Sequence, residues 1–154
     1  MIWKIFLFRK QEAMTDEQII RDKITTLGDI FKNPNDELFN TLFTADCDYI
    51  TFMGEHLKGI KENLRVHTAL ANNWLFKGAE LFTDIKQIKF PAENVAIVIA
   101  TGAIKFRWQK KVNKKRLSIN TNVFVKQNAD WKIASFQNNR IKAPNFIQRL
   151  MMGK

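Results

Sequence analysis

Residues 93–109 read ENVAIVIATGAIKFRWQ, and this stretch decides the fold class. Val95, Ile97 and Ile99 alternate with Ala96, Val98 and Ala100; further on, Ile104, Phe106 and Trp108 alternate with Lys105, Arg107 and Gln109. A period of two across β-branched and aromatic residues predicts a strand. With the even positions facing inward, the outward Val95, Ile97 and Ile99 are apolar as well, so the sheet needs a cover on both faces. Helices of the same chain can supply one cover. A second copy is the natural candidate for the other, which predicts a homodimer through Val95, Ile97 and Ile99. A bulge near Gly102 would reverse the parity beyond it.

The neighbouring segments repeat the signal. Strands are expected over Glu80–Phe90, Lys115–Lys126 and Asp130–Gln137, with turns at Pro91–Asn94, Lys111–Lys114 and Gln127–Asp130. In Lys115–Lys126 the set Ser118, Asn120 and Asn122 lies opposite Leu117, Ile119, Thr121, Val123 and Val125, and its asparagines are expected to face solvent, the alternative being hydrogen-bonding inside a cavity. Upstream the period changes to helical. Ile20, Ile24, Leu27 and Phe31 share a face, a second helix opens at Asn33-Pro34, and a short strand Cys47–Met53 closes on Gly54. A third helix runs from Gly59 to about Phe76 and ends at Gly78. The expected class is α+β: three N-terminal helices packed on a strongly curved antiparallel sheet.

The 154 residues suit one domain, and a core of that size requires no disulfide or metal staple. Thr15-Asp16-Glu17-Gln18 has the capping-box pattern, so the domain is expected over 14–142, with 1–13 an upstream start or loose arm, the alternative being a peripheral membrane tether, and 143–154 a tail. In 1–13 the positive charge lies inside and after the apolar run, the reverse of a signal peptide. No apolar run approaches the roughly 20 residues of a membrane-crossing helix. Cys47 is the single cysteine, which gives no sign of secretion, and a cytoplasmic location is expected.

On the third helix Ile60, Leu64, His67, Ala71 and Trp74 recur at helical spacing, placing His67 on the stripe that faces the sheet. Such a histidine is either a core residue satisfied by one or two hydrogen bonds, or a polar tip lining a ligand cavity. Metal binding is not expected, because His56, His67 and Cys47 show no ligand spacing. Gly54…Gly59 has the glycine spacing of a phosphate loop, but Ile60 stands where its lysine belongs, and no dinucleotide glycine turn exists. Asp46 and Asp48 make a poor carboxylate pair. The net charge of +10 concentrates in Lys105, Arg107, Lys110, Lys111, Lys114, Lys115 and Arg116. Such a run is usually a solvated edge that blocks strand-to-strand aggregation, and nucleic acid is the less favoured partner.

Taken in order, Leu42–Asp46, Gly54…Gly59, His67 within the third helix, Asn94–Val98 and Trp131–Asn138 resemble the SnoaL-like branch of the nuclear-transport-factor-2-like superfamily, especially its SgcJ/EcaC group. The resemblance implies a conical, strongly bent sheet wrapped around a long helix, barrel-like, enclosing a pocket and commonly dimeric. Its members include cofactor-independent isomerases, cyclases and dehydratases alongside ligand-binding and scaffold domains, so fold does not fix function. Ketosteroid isomerases of that superfamily carry an aspartate shortly before the glycine that follows the first strand. Thr51 stands there in this chain, and a threonine cannot serve as that base. Gln137-Asn138-Asn139 likewise replaces a histidine-asparagine-threonine run.

The sequence therefore points to a pocket for a small, largely apolar organic ligand, with no cofactor. His67 is the acid/base candidate, and Tyr49, Thr51, Trp74, Trp108 and Asn138 are the expected lining. One histidine among neutral neighbours can move a proton on an already acidic carbon or simply orient a ligand, and enzyme or binder stays open. The competing readings are a basic module for nucleic acid or an acidic partner, and a non-catalytic dimeric scaffold.

Overall fold

The computed structural model describes residues 14–113 and 116–153. The arm expected over 1–13, and Lys114 and Lys115 of the basic tip, lie outside the described residues.

Helix α1 spans Asp16–Thr26 and is capped by Thr15, whose Oγ1 accepts from the Gln18 amide at 3.2 Å. It buries Ile20 and Ile24 and passes into a 3-10 turn, Leu27–Phe31, that buries Leu27 and Ile30. Helix α2 (Asp36–Leu42) is capped by Asn35 and not by Asn33. The Asn35 backbone is extended, and its Oδ1 accepts from Leu38 N at 2.9 Å, which satisfies an otherwise orphaned first-turn donor. Pro34 thus precedes the helix instead of opening it.

Six strands follow: β1 Phe43–Ile50, β2 His56–Lys58, β3 Glu80–Ala92, β4 Val95–Lys105, β5 Ser118–Gln127 and β6 Asp130–Arg140. They form one sheet in the order β2-β1-β6-β5-β4-β3. Two expectations need correction. The pair β1–β6 is parallel, with Tyr49 opposite Phe136, so the sheet is not wholly antiparallel. The sheet also does not close into a barrel, because β2 and β3 remain its edges. β3 carries a register shift between Ile85 and Gln87, a bulge that bends this edge.

The β5–β6 hairpin turns on two residues, Asn128 at φ 51° and Ala129 at φ 63°, between the paired Gln127 and Asp130. Both central residues at positive φ define the mirror-image turn whose twist matches its strands. Lys126 ties that end to α1 through Asp16 at 2.8 Å, and Lys23 reaches Asp130 at 3.0 Å.

One sheet face lies beneath the helices. Ala96, Val98 and Ala100 are fully buried there, with Phe124, Trp131 and Ile133. Asn122 lies opposite Val98 and Asn120 opposite Ala100, so both asparagines face this interior. They are 0% and 8% exposed, which overturns their expected solvent placement. The other face keeps Val95, Ile97 and Ile99 half-buried beside Thr121, Val123 and Val125. The strand read as 93–109 stops at Lys105. There the Gln109 side chain accepts from Phe106 N at 3.0 Å, and Gln109 N donates to Phe106 O at 2.9 Å, folding the chain off the sheet. Inside the expected tail, Asn145 caps a short helix α4 (Phe146–Met151) with a reciprocal bond from Gln148. No helix among the described residues is long and apolar enough to cross a membrane.

Candidate functional site

The interior site is built by helix α3 (Gly59–Asn72) lying against β1. Gly59 opens it at φ +73°. A Cβ there would meet the Ala45 carbonyl oxygen at 3.0 Å, so only glycine allows helix and strand this close. Glu62 caps the start by accepting from Lys58 N at 2.8 Å. The buried face is Ile60, Asn63 and His67. It is rotated from the stripe expected through Leu64, and it adds Asn63, which hydrophobic periodicity could not flag.

α3 ends four residues earlier than expected. Asn73 leaves the helix, and its Oδ1 accepts from Leu75 N at 2.9 Å, a side-chain turn that competes with another helical turn. Trp74 therefore sits outside the helix and is 71% exposed. Trp108 is 53% exposed because its segment has left the sheet; it stacks on Phe106 at 4.9 Å. Thr51 lies in the β1–β2 turn, where its hydroxyl accepts from the amides of Met53 and Glu55. None of these three joins His67.

Tyr49 does. Its ring meets the imidazole edge-on at 5.1 Å and stacks on Phe136 at 4.4 Å, while Phe31 and Phe39 flank His67 at 5.4 and 5.6 Å. His67 Nδ1 lies 2.9 Å from the Asn63 carbonyl oxygen. A carbonyl only accepts, so Nδ1 carries the proton and Nε2 the lone pair. Burial pushes the imidazole below its ordinary range and the Asn63 bond only partly opposes it, so the ring is neutral at neutral pH. Burial also raises the Tyr49 hydroxyl. It lifts the Cys47 thiol to about 11, with the Asn63 amide pulling the other way, so Cys47 is protonated and inert.

The sheet side of the same interior is lined with amides. Asn138 lies directly opposite Asn120, and Asn120 Oδ1 accepts from Asn122 Nδ2 at 2.7 Å. Asn122 Oδ1, Asn138 Oδ1, and both Oδ1 and Nδ2 of Asn63 are buried with no geometrically sound hydrogen bond among the described residues. The structure thus brings Tyr49, His67 and Asn138 to the interior and adds Asn63, Asn120 and Asn122. No carboxylate is buried among the described residues, and Asp46 and Asp48 are both exposed. No group of histidine, cysteine and carboxylate side chains suited to a metal occurs among the described residues. A surface cleft of about 390 Å³ opens elsewhere, between α1 (Arg21, Ile24, Thr25) and β3 (residues 81–85), and holds none of the expected lining residues.

A six-stranded bent sheet with helices on its concave side has solved counterparts. A domain of unknown function with a cystatin-like fold from Nostoc punctiforme is 25% identical, at a TM-score of 0.74 over 92% of this chain and 86% of its own. An NTF2-like protein with a cystatin-like fold from Novosphingobium aromaticivorans is 17% identical, at 0.69 over 89% and 88%. This chain has the NTF2-like fold. Another NTF2-like protein, from Cytophaga hutchinsonii, is 15% identical, at 0.62 over 83% of this chain and all (100%) of its own. No protein-family model and no curated protein matches the sequence. In NTF2-like terms the amide-lined interior is the concave side of the bent sheet, closed by α3.

Proposed function

We propose that this NTF2-like chain binds a small organic ligand on the concave side of its sheet, and that it does so as a homodimer joined through Val95, Ile97 and Ile99. The observation that carries the reading is the pair of buried amide oxygens on Asn122 and Asn138 with no hydrogen bond among the described residues, beside Asn63, whose amide meets only the Cys47 thiol; Thr44 Oγ1 and Trp131 Nε1 are the other such buried atoms. A buried polar group without a partner costs about 1–3 kcal/mol, and native cores keep few of them. Such groups persist where a ligand supplies the missing bonds. The amides offer donors and acceptors, His67 Nε2 offers an acceptor, and Tyr49 and Phe136 offer aromatic walls, which suits a mainly apolar ligand bearing carbonyl, hydroxyl or amide groups. Binding is favoured over turnover, because burial weakens His67 as a base and no buried carboxylate among the described residues supports it. The inert thiol of Cys47 suits the reducing cytoplasm, the location proposed here.

The test pairs stability with binding. Asn63→Leu replaces an amide by an apolar group of similar size and is expected to raise the melting temperature by roughly 2–4 °C, as about 1 kcal/mol does in a chain of this length. Asn122→Leu also gives up the bond to Asn120 Oδ1 and is expected to melt lower. In a thermal-shift screen of carbonyl- and hydroxyl-bearing aromatics, compounds that stabilise the natural chain are expected to leave both variants unmoved. An Asn63→Leu chain that melts lower, with no compound shifting the natural chain, would refute a ligand site.

A further inference from the structure

Charge and exposed apolar surface gather at one end of the sheet. Lys105 ends β4, Ser118 opens β5 opposite Arg140 of β6, and Glu80 opens β3 opposite Lys105. The 73–79 turn, residues 106–113 and 116–117, and Ile141 after β6 therefore share that end, with Phe76 against Phe106 at 5.6 Å and Ile141 N bonded to Leu117 O. The β1–β2 turn belongs there too, since Ile50 lies opposite Gln137.

Four large apolar side chains stand out at this end: Phe52 and Met53 (80% exposed) on the β1–β2 turn, Trp74 on the 73–79 turn, and Trp108 on the 106–117 loop. A few residues beyond Arg140, α4 holds Phe146, Ile147, Leu150 and Met151 to solvent, all two-thirds exposed or more. Around them are Arg107, Lys110, Lys111, Arg116, Arg140 and Lys142, none of which forms an ion pair among the described residues. The sequence carries the same bias. After residue 93 stand thirteen of the 25 basic residues but one acid, Asp130, which pairs with Lys23 near the far turn.

We infer that this end of the molecule is a docking surface for an anionic lipid bilayer. Exposed tryptophan and methionine side chains at the same end as cations free of ion pairs match the interfacial layer of a membrane, where apolar groups enter the headgroup boundary and Lys/Arg meet acidic lipid. Monomeric proteins seldom keep so many large apolar side chains in water at one end. A single-stranded nucleic acid would also use cations and aromatic rings. The exposed aliphatic side chains, Met53 on the β1–β2 turn and Ile147, Leu150 and Met151 on α4, have no use in base stacking, which favours lipid.

Flotation of the full chain tests this, using vesicles of phosphatidylcholine alone and of phosphatidylcholine mixed with phosphatidylserine. The chain is expected to float with the mixed vesicles only, to dissociate as salt rises, and to shift its tryptophan emission to the blue on binding. Lys110→Gln with Lys111→Gln is expected to weaken binding roughly 25-fold, about fivefold for each charge removed. Trp74→Ser with Trp108→Ser is expected to abolish both flotation and blue shift while melting like the natural chain. Should that pair unfold, the charge pair and the salt dependence still decide the matter. Equal flotation with both vesicles, no flotation at low salt, or unchanged flotation of both double variants would overturn the proposal. So would an oligonucleotide that binds through these residues while vesicles do not.

Discussion

Replacing His67 by phenylalanine separates the electrostatics of the interior from its packing. The ring lies among Phe31, Phe39 and Tyr49, so another aromatic ring suits the space. Among the described residues the only side-chain hydrogen bond given up is that of Nδ1 to the Asn63 carbonyl, which already serves the helix as an acceptor. Burial holds the folded imidazole below its ordinary value of 6.5. Between that value and the lower folded one, the unfolded chain binds a proton that the folded chain refuses. The stabilisation is complete above 6.5 and drains away as pH falls toward the folded value, by up to about 1.4 kcal/mol per pH unit. Exposed His56, 2.6 Å from Asp48, is common to both proteins and cancels in the comparison. The lowered carboxyl groups of Asp16, held by Lys126, and Glu80, held by Lys105, lose their contributions only in the more acid carboxylate range. Urea unfolding followed by circular dichroism, from about pH 7.5 to 5, should show natural-chain stability falling at up to that slope while His67→Phe stays flat. Parallel profiles would mean that the ring is solvated, and the buried neutral imidazole would have to be abandoned.

Two further outcomes follow from the backbone and the outer face. Ala129 holds φ 63°, where a Cβ is unfavourable, so Ala129→Gly should stabilise the hairpin by about 0.5–1 kcal/mol, a melting rise of roughly 2 °C; a fall in calorimetry would contradict the turn geometry. Ile97→Lys puts a charge in the middle of the outer apolar strip and should halve the mass measured by light scattering while the melt changes little; an unchanged mass would move the dimer contact elsewhere.

Local pattern carried much of this architecture and failed where partners are distant or polar. Alternation in residues 95–100 placed Ala96, Val98 and Ala100 inward correctly, because period two and burial coincide there. Thr15 and the turns that follow β3 and β5 were readable for the same local reason, whereas the turn expected at Lys111–Lys114 falls within a longer break between β4 and β5. The pairing of β1 with β6 was not, since nothing near Tyr49 encodes a partner almost ninety residues away. Asn73 and Gln109 ended elements through their own side chains, which removed Trp74 and Trp108 from the expected lining. Asn63 escaped, and Asn120 and Asn122 were assigned to solvent over a cavity, because a polarity pattern assigns asparagine to water. The buried amides, where that pattern is violated, are the same residues that make the interior a candidate site.

The position of β6 between β1 and β5 bears on how the chain is made. Synthesis delivers β1 and β2 early, yet the strand that joins this ribbon to the β3–β5 meander is the last to emerge. Until Arg140 clears the ribosome, the facing edges of β1 and β5 stay unpaired and α1 and α2 are only partly covered, by β3 and by β1 with α3, and closing the gap requires contacts of high sequence separation. The nascent chain is thus most exposed to misassociation, and most in need of chaperones, just before its final strand slots in.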